Sequence, residues 1–322
     1  MTFVSIKQTT MLTKLKPIYI KAVFIIAAIL CLTSFVSSPI SLLKGFLLTN
    51  LLYNPFPNLS RQSVKWLLKL SVIGLGFGMD LNKSLEVGKE GLLLTIITIS
   101  STLILGYFIG KALKLDRVIS YLIASGTAIC GGSAIAAVSA VIKAKEKEIS
   151  IALGVVFFLN ALAIFVFPLL GHQLDLSQKD FGLWSAIAIH DTSSVIGAAL
   201  AYGEEALDIA VTVKLSRALW IIPLSIFSMF LFKGKANSIK IPWFILLFVI
   251  AVIANSYLNL PDWMSFSIPQ ISKQLLILTL FLVGAGLTFT SIKESGAKPM
   301  ILGVSLWVII SIVSLVYIMY FI

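Results

Sequence analysis

Lys214 and Arg217 stand three positions apart inside an apolar stretch that begins near Leu207, and on a helix that spacing puts both on one face. At 1.5 Å per residue they lie roughly 10–15 Å in from the start of the stretch. A basic side chain at such depth in a bilayer costs about 2.5–3.5 kcal/mol on insertion scales, which marks it as functional by default. Two readings are open. Arg217 pairs with Asp191 or Asp80 and merely orders a bundle, or Lys214 and Arg217 form a cationic pocket in which the planar guanidinium holds an oxyanion through paired hydrogen bonds.

Two other stretches are polar at the centre of otherwise apolar sequence: Ser125-Gly126-Thr127-Ala128-Ile129-Cys130-Gly131-Gly132-Ser133 and His190-Asp191-Thr192-Ser193-Ser194. A continuous lipid-facing helix has no use for glycines and hydroxyls at mid-depth, so each reads as a break. A helix that restarts in mid-membrane offers free backbone N–H groups and the positive end of its dipole to an anion. Gly131, Gly132 and Ser133 sit where one such half-helix begins, and Thr192, Ser193 and Ser194 where the other does. Thr127, Ser133, Thr192, Ser193 and Ser194 add hydroxyl donors, although any one of them could instead bond to its own backbone. His190 beside Asp191 is either a proton-exchanging pair near neutral pH or a polar brace for the break. Asn160 is a candidate for hydrogen bonding to a break, to a ligand or to a neighbouring helix. Metal-ligand spacings, a nucleotide-binding loop and a nucleophile elbow are absent, so the site is expected to work without metal or cofactor.

The elements that position these residues follow from composition. The chain has 322 residues, 58% hydrophobic and 12% charged, with mean hydropathy +1.02; an average soluble domain is about 25% charged. A soluble enzyme, a nucleic-acid binder and a disulfide scaffold are excluded on that basis. The net charge of +11 is spread over many short loops, as in topology signals, and does not form a nucleic-acid face. Apolar segments fall at about 18–36, 39–53, 63–81, 91–110, 118–142, 149–170, 182–202, 207–231, 242–260, 271–289 and 299–321. Lysines precede the first of them in the manner of a signal peptide, but Phe35-Val36-Ser37-Ser38 is a poor cleavage site and Ile18–Val36 reads as a retained helix.

The expected fold is therefore all-α: one polytopic membrane domain over residues 1–322, with about 9–11 transmembrane segments, of which 118–142 and 182–202 are broken or re-entrant. With a cytoplasmic N-terminus and both odd segments re-entrant, the inner loops collect 18 Lys and Arg against three outside, Lys83, Lys89 and Lys179. Letting both segments cross narrows the asymmetry. Two internal echoes suggest inverted repeats. Gly76, Gly78, Glu86 and Gly88 align with Gly284, Gly286, Glu294 and Gly296, and Ser133-Ala134-Ile135-Ala136-Ala137 aligns with Ser194-Val195-Ile196-Gly197-Ala198.

The stretches Gly126–Ala137, His190–Ala198 and Val213–Trp220 together resemble the YeiH-like sulfate exporter family of bacterial inner-membrane proteins, with similarity over nearly the whole chain. The resemblance implies a multi-pass plasma-membrane protein of roughly ten helices, distantly related to bile-acid symporter and cation/proton antiporter folds, in which the broken segments cross the membrane. The expectation is a secondary transporter exporting a small anion such as sulfate or a sulfonate by alternating access. In it Arg217 and Lys214 supply charge, the breaks supply donors, and His190 with Asp191 carries a coupling proton, sodium being the other candidate ion. A cation/proton antiporter using Asp191 is the alternative, and an intramembrane enzyme a more remote one. The expected partners are the substrate anion and the lipid bilayer, with small-residue faces that would permit a homo-oligomer.

Overall fold

The computed structural model describes residues 17–33, 36–232, 243–258, 260–288 and 295–321. The basic N-terminal residues Lys7, Lys14 and Lys16, the basic loop 233–240 and Glu294 of the first echo lie outside them. Among the described residues the chain forms α1 (Pro17–Leu30), α2 (Ser38–Leu51), α3 (Pro57–Leu75), α4 (Leu81–Ala112), α5 (Arg117–Ala128), α6 (Gly132–Ile142), α7 (Glu146–Gln173), α8 (Gln178–Ala188), α9 (Thr192–Tyr202), α10 (Glu204–Ala218), α11 (Ile221–Phe232), α12 (Trp243–Tyr257), α13 (Asp262–Gly284) and α14 (Ala297–Phe321), and no strand. Five stretches are long and apolar enough to cross a bilayer by length and composition: Leu94–Ala112, Glu146–Gln173, Glu204–Phe232, Met264–Gly284 and Ala297–Tyr320. Several helices begin earlier than hydropathy alone places them, α3 at Pro57 and α4 at Leu81, because a helix continues through a polar first turn that hydropathy excludes.

The two odd segments are re-entrant hairpins, and they enter from opposite sides. In the second, the start of α8 and the end of α9 lie together: the Tyr202 hydroxyl donates to the Leu176 carbonyl at 2.6 Å, its ring stacks on Phe181 with centroids 3.8 Å apart, and Gln178 Oε1 accepts from the Glu205 amide at 3.1 Å. A crossing segment would hold these ends apart by about 30 Å, the thickness of the hydrocarbon core. Gly203, which turns the chain into α10, lies against the Gln178 amide, and a Cβ there would fall 2.1 Å from Gln178 Oε1 and displace that side chain.

In the first hairpin, α5 starts against the end of α11, with Tyr121 Oη 2.8 Å from Ser228 Oγ and the Arg117 guanidinium 4.9 Å from the Phe232 ring centre. Asp116 caps it, accepting from the Val118 and Ile119 amides. α6 ends at Lys143, in the left-handed region, and α7 then runs parallel to α14, with Gly303 against Val155 and Leu159 and Trp307 against Phe167. The start of α7 is therefore level with the start of α14. Gly110 of α4 abuts both Ser120 and Leu302, which places the start of α5 on that same side. This corrects the crossing arrangement that the family resemblance implied and agrees with the charge asymmetry of the loops.

The hairpins are also the inverted repeat. Half-helices of 12 and 11 residues, then α7, answer half-helices of 11 and 11 residues, then α10, and the echoed stretches Ser133–Ala137 and Ser194–Ala198 are the opening turns of α6 and α9. The longer echo falls on two helix ends, Gly76 after α3 and Gly284 closing α13, in helices that run antiparallel. α2, α3, α12 and α13 pack into a group of their own. At Gly45 and Gly284 the backbones of α2 and α13 come so close that an added Cβ would lie 2.0 Å from the Phe281 oxygen and 2.1 Å from the Leu42 oxygen, the close approach that small residues permit in membranes. α9 seals onto this group, Gly197 lying beside Leu280 and Ile164.

Single cysteines replacing Lys114 and Lys145 are expected to react with an impermeant maleimide from one side of the membrane, and those replacing Lys179 and Glu205 from the other. Labelling of Lys114→Cys and Lys145→Cys from opposite sides would restore the crossing arrangement.

Candidate functional site

The hairpin tips meet at depth. α5, of 12 residues, is about 18 Å long at 1.5 Å per residue, so its last turn lies well inside the membrane. A helix that stops there leaves carbonyls with no intrahelical partner and no water to meet them. α10 supplies the partners. Arg217 Nη2 donates to the Ala128 carbonyl at 2.6 Å and Nη1 to Thr98 Oγ1 at 2.9 Å; Thr98 in turn donates to Leu94 of its own helix, α4. Lys214 Nζ donates to the Ile189 and Ala186 carbonyls at 2.7 and 3.2 Å. One face of one helix thus closes the C-terminal ends of both half-helices, where the dipole favours positive charge. The side-chain bonds of Lys214 and Arg217 run to carbonyl and hydroxyl oxygens, not to Asp191 or Asp80. These are the two charged side chains that are fully buried among the described residues.

The N-terminal ends are treated unequally. On α9, Asp191 Oδ2 accepts from the Ser193 hydroxyl, from the Ser194 amide at 3.3 Å and from the Ser194 hydroxyl at 3.5 Å. Ser193 and Ser194 are buried, and their donors are turned to that carboxylate; Thr192 and Asp191 remain partly open. On α6 the residue ahead of the helix is Gly131, which has no side chain to cap the turn; the Cys130 sulfur accepts from the Ala134 amide and the Ser133 hydroxyl instead. Gly132 is partly open and Ser133 exposed. The Gly132 backbone lies against Phe157 and Leu153 of α7, and the Gly132 and Ser133 amides open the first turn of α6. The corresponding face of α9 packs against α13, whereas α6 keeps an exposed face at Ser133, Ala136 and Ala140.

Gly131 joins the tips. It sits at φ +61° and ψ −120°, a conformation that side chains resist, and a Cβ there would lie 3.4 Å from Asp191 Cα and 3.3 Å from Val156. Across the junction Asn160 of α7 holds the second tip, its Oδ1 accepting from the amides of His190 and Asp191 at 3.1 and 3.3 Å. The His190 ring is fully buried with neither nitrogen partnered, and Thr127 Oγ1, Asn160 Nδ2 and Arg217 Nε are likewise buried without a partner. His190 and Asp191 share no side-chain hydrogen bond: the ring faces the interior while the carboxylate turns to the serines of α9. The structure therefore brings Arg217, Lys214, Gly131, Asp191 and the two tips together, and separates His190 from its sequence neighbour. Sequence reasoning missed Thr98. Thr95, Thr98 and Thr102 are all buried, three hydroxyls along one face of an apolar helix, and that stripe was the available signal.

Gly131→Ala should cost about 1–3 kcal/mol from its backbone conformation, read as a lower melting temperature in detergent. Thr98→Val should cost about 1–3 kcal/mol by removing one oxygen from a buried guanidinium, whereas Thr95→Val, with no bond to Arg217, should cost less in the same assay.

The comparisons with known proteins agree with this architecture. The family model of conserved hypothetical protein 698 matches residues 11–303. A UPF0324 membrane protein of Bacteroides thetaiotaomicron is 50% identical over 288 residues, covering 89% of this chain and 87% of its own. One from Shewanella oneidensis is 49% identical over 301 residues, covering 94% and 95%, and one from Geobacter sulfurreducens is 45% identical over 296 residues, covering 92% and 95%. No solved structure matches. With a family model spanning most of its length and relatives near half identical end to end, this multi-pass membrane protein belongs to the UPF0324 family, that of conserved hypothetical protein 698.

Proposed function

We propose that the protein is a secondary transporter that exports a small anion, such as sulfate or a sulfonate, across the bacterial inner membrane by alternating access. The observation that carries this reading is the charge balance at the tips: Lys214 and Arg217 are fully buried there, and Asp191, its carboxylate turned to the serines of α9, is the carboxylate at the breaks. The excess is positive, in a low-dielectric region where one uncompensated charge attracts a counter-ion strongly. The Gly132 and Ser133 amides at the start of α6 add backbone donors beside it. The cations act on the anion mainly through this field, since their hydrogen bonds hold the half-helices in place; the α6 amides make the contact.

In this reading the N-terminus and the loops around 113–117 and 143–147 are cytoplasmic, and the exposed face of α6 lines the inward route. Asp191, partly open and next to the anion site, is the coupling group: protonating it removes the negative charge nearest the anion, so a proton and the anion favour each other's binding. The chain acts as a carrier and not as an enzyme. The partly open carboxylate also favours a second reading, a cation/proton antiporter in which Asp191 is the ion ligand.

Counterflow of labelled sulfate into proteoliposomes, with sulfite, thiosulfate and taurine as competitors, tests both. Saturable exchange by the wild type is expected, with a loss of at least tenfold in Arg217→Ala that remains folded by melting temperature and size-exclusion profile. Absence of exchange for every anion, with a sodium- or pH-driven flux that Asp191→Asn abolishes, would replace the anion carrier with the antiporter.

A further inference from the structure

Asn160 carries one unspent bond, in the place where the anion reading needs a donor. Its side chain is 3% exposed. Two backbone N–H groups, those of His190 and Asp191, converge on one of its side-chain atoms, so that atom must be the amide oxygen, because a nitrogen there would oppose donor to donor. The orientation of the amide is thereby fixed, and its NH2 group is left buried without a partner. An unpaired donor of this kind costs about as much as a lost hydrogen bond.

The surroundings indicate what the NH2 group is for. On α7, Val156 lies against Gly131 and Gly126, and Phe157 and Leu153 lie against Gly132. Asn160 is one helical turn beyond Val156, hence on the same face, at the level where the Gly131 and Asp191 backbones touch. The open start of α6 and the second tip thus share α7 as a common wall, and Asn160 is the polar residue on that wall. We infer that Asn160 is a substrate ligand: its oxygen fixes the second tip, and its Nδ2 donates to an oxygen of the same oxyanion that the Gly132 and Ser133 amides of α6 bind. A single side chain would then report to one hairpin that the other is loaded.

This inference rests on the anion reading, and the test separates the two. Asn160→Asp is nearly isosteric, keeps an acceptor for the His190 and Asp191 amides, and replaces the donor by a repelling oxygen. The first measurement is sulfate counterflow by wild type and Asn160→Asp. The second uses Ser133→Cys, with Cys31 and Cys130 replaced by Ala, and follows protection of the exposed position from an impermeant maleimide by sulfate, sulfite, thiosulfate or taurine.

The expected result is anion protection of Ser133→Cys that Asn160→Asp shifts to at least tenfold higher concentration, with a parallel rise in KM for counterflow and an unchanged melting temperature without anion. Wild-type affinity in Asn160→Asp would overturn the role of Asn160 while leaving the anion carrier intact. No protection or exchange by any of the four anions in the wild-type Asn160 background would overturn the anion reading and this inference with it. Should Asn160→Asp fail to fold, Asn160→Ser, which keeps a small acceptor but cannot reach the anion, is expected to show the same shift, and wild-type protection in that variant would count equally against the role.

Discussion

A helix cannot stop inside a bilayer unless something answers its last backbone groups, and this protein stops four half-helices there. Each carbonyl or amide left without a partner in hydrocarbon costs several kcal/mol. The burial of Lys214 and Arg217, the carboxylate of Asp191 ahead of α9 and the amide of Asn160 across the second tip are all answers to that one requirement. Two cations placed three residues apart on α10 reach both C-terminal ends, and α10 consequently lies between the hairpins it serves.

The near-symmetry of the two hairpins makes their differences informative. Both have half-helices of nearly equal length and a break of three residues, 129–131 and 189–191. Only the second carries a carboxylate at its break, and α9 is buried against α2 and α13 while the matching face of α6 stays open. An inverted repeat whose halves are packed differently is the arrangement that the proposed alternating access requires. The glycines at the close contacts of α2 with α13 let the α2, α3, α12 and α13 group pack tightly beside the hairpins.

Coupling between charge and structure also limits how the site can be altered. Because the guanidinium of Arg217 fastens the end of α5 and also contributes to the field at the tips, its removal disturbs architecture and electrostatics together. Donors not committed to the scaffold, the Gly132 and Ser133 amides and the buried Nδ2 of Asn160, are separable from it in a way that the buried cations are not.

Sequence by itself determined the membrane class, the apolar core of the long helices though not where α3 and α4 begin, the two breaks and the residues around them, because hydropathy, glycine placement and charge in an apolar run are local properties. The balance of Lys and Arg between loops also pointed to re-entrant hairpins, against the crossing segments implied by family resemblance. Tertiary structure alone decided the roles. Which carbonyls Lys214 and Arg217 reach, that Thr98 from α4 joins Arg217, and that His190 turns away from Asp191 depend on segments up to 119 residues apart in the chain. Neither spacing nor composition encodes those distances, which are set by how opposed hairpins meet between α4, α7 and α10. The same holds for Asn160: a lone amide in an apolar helix has many uses, and only the convergence of two backbone amides on its oxygen shows which end is spent and which is left unpartnered.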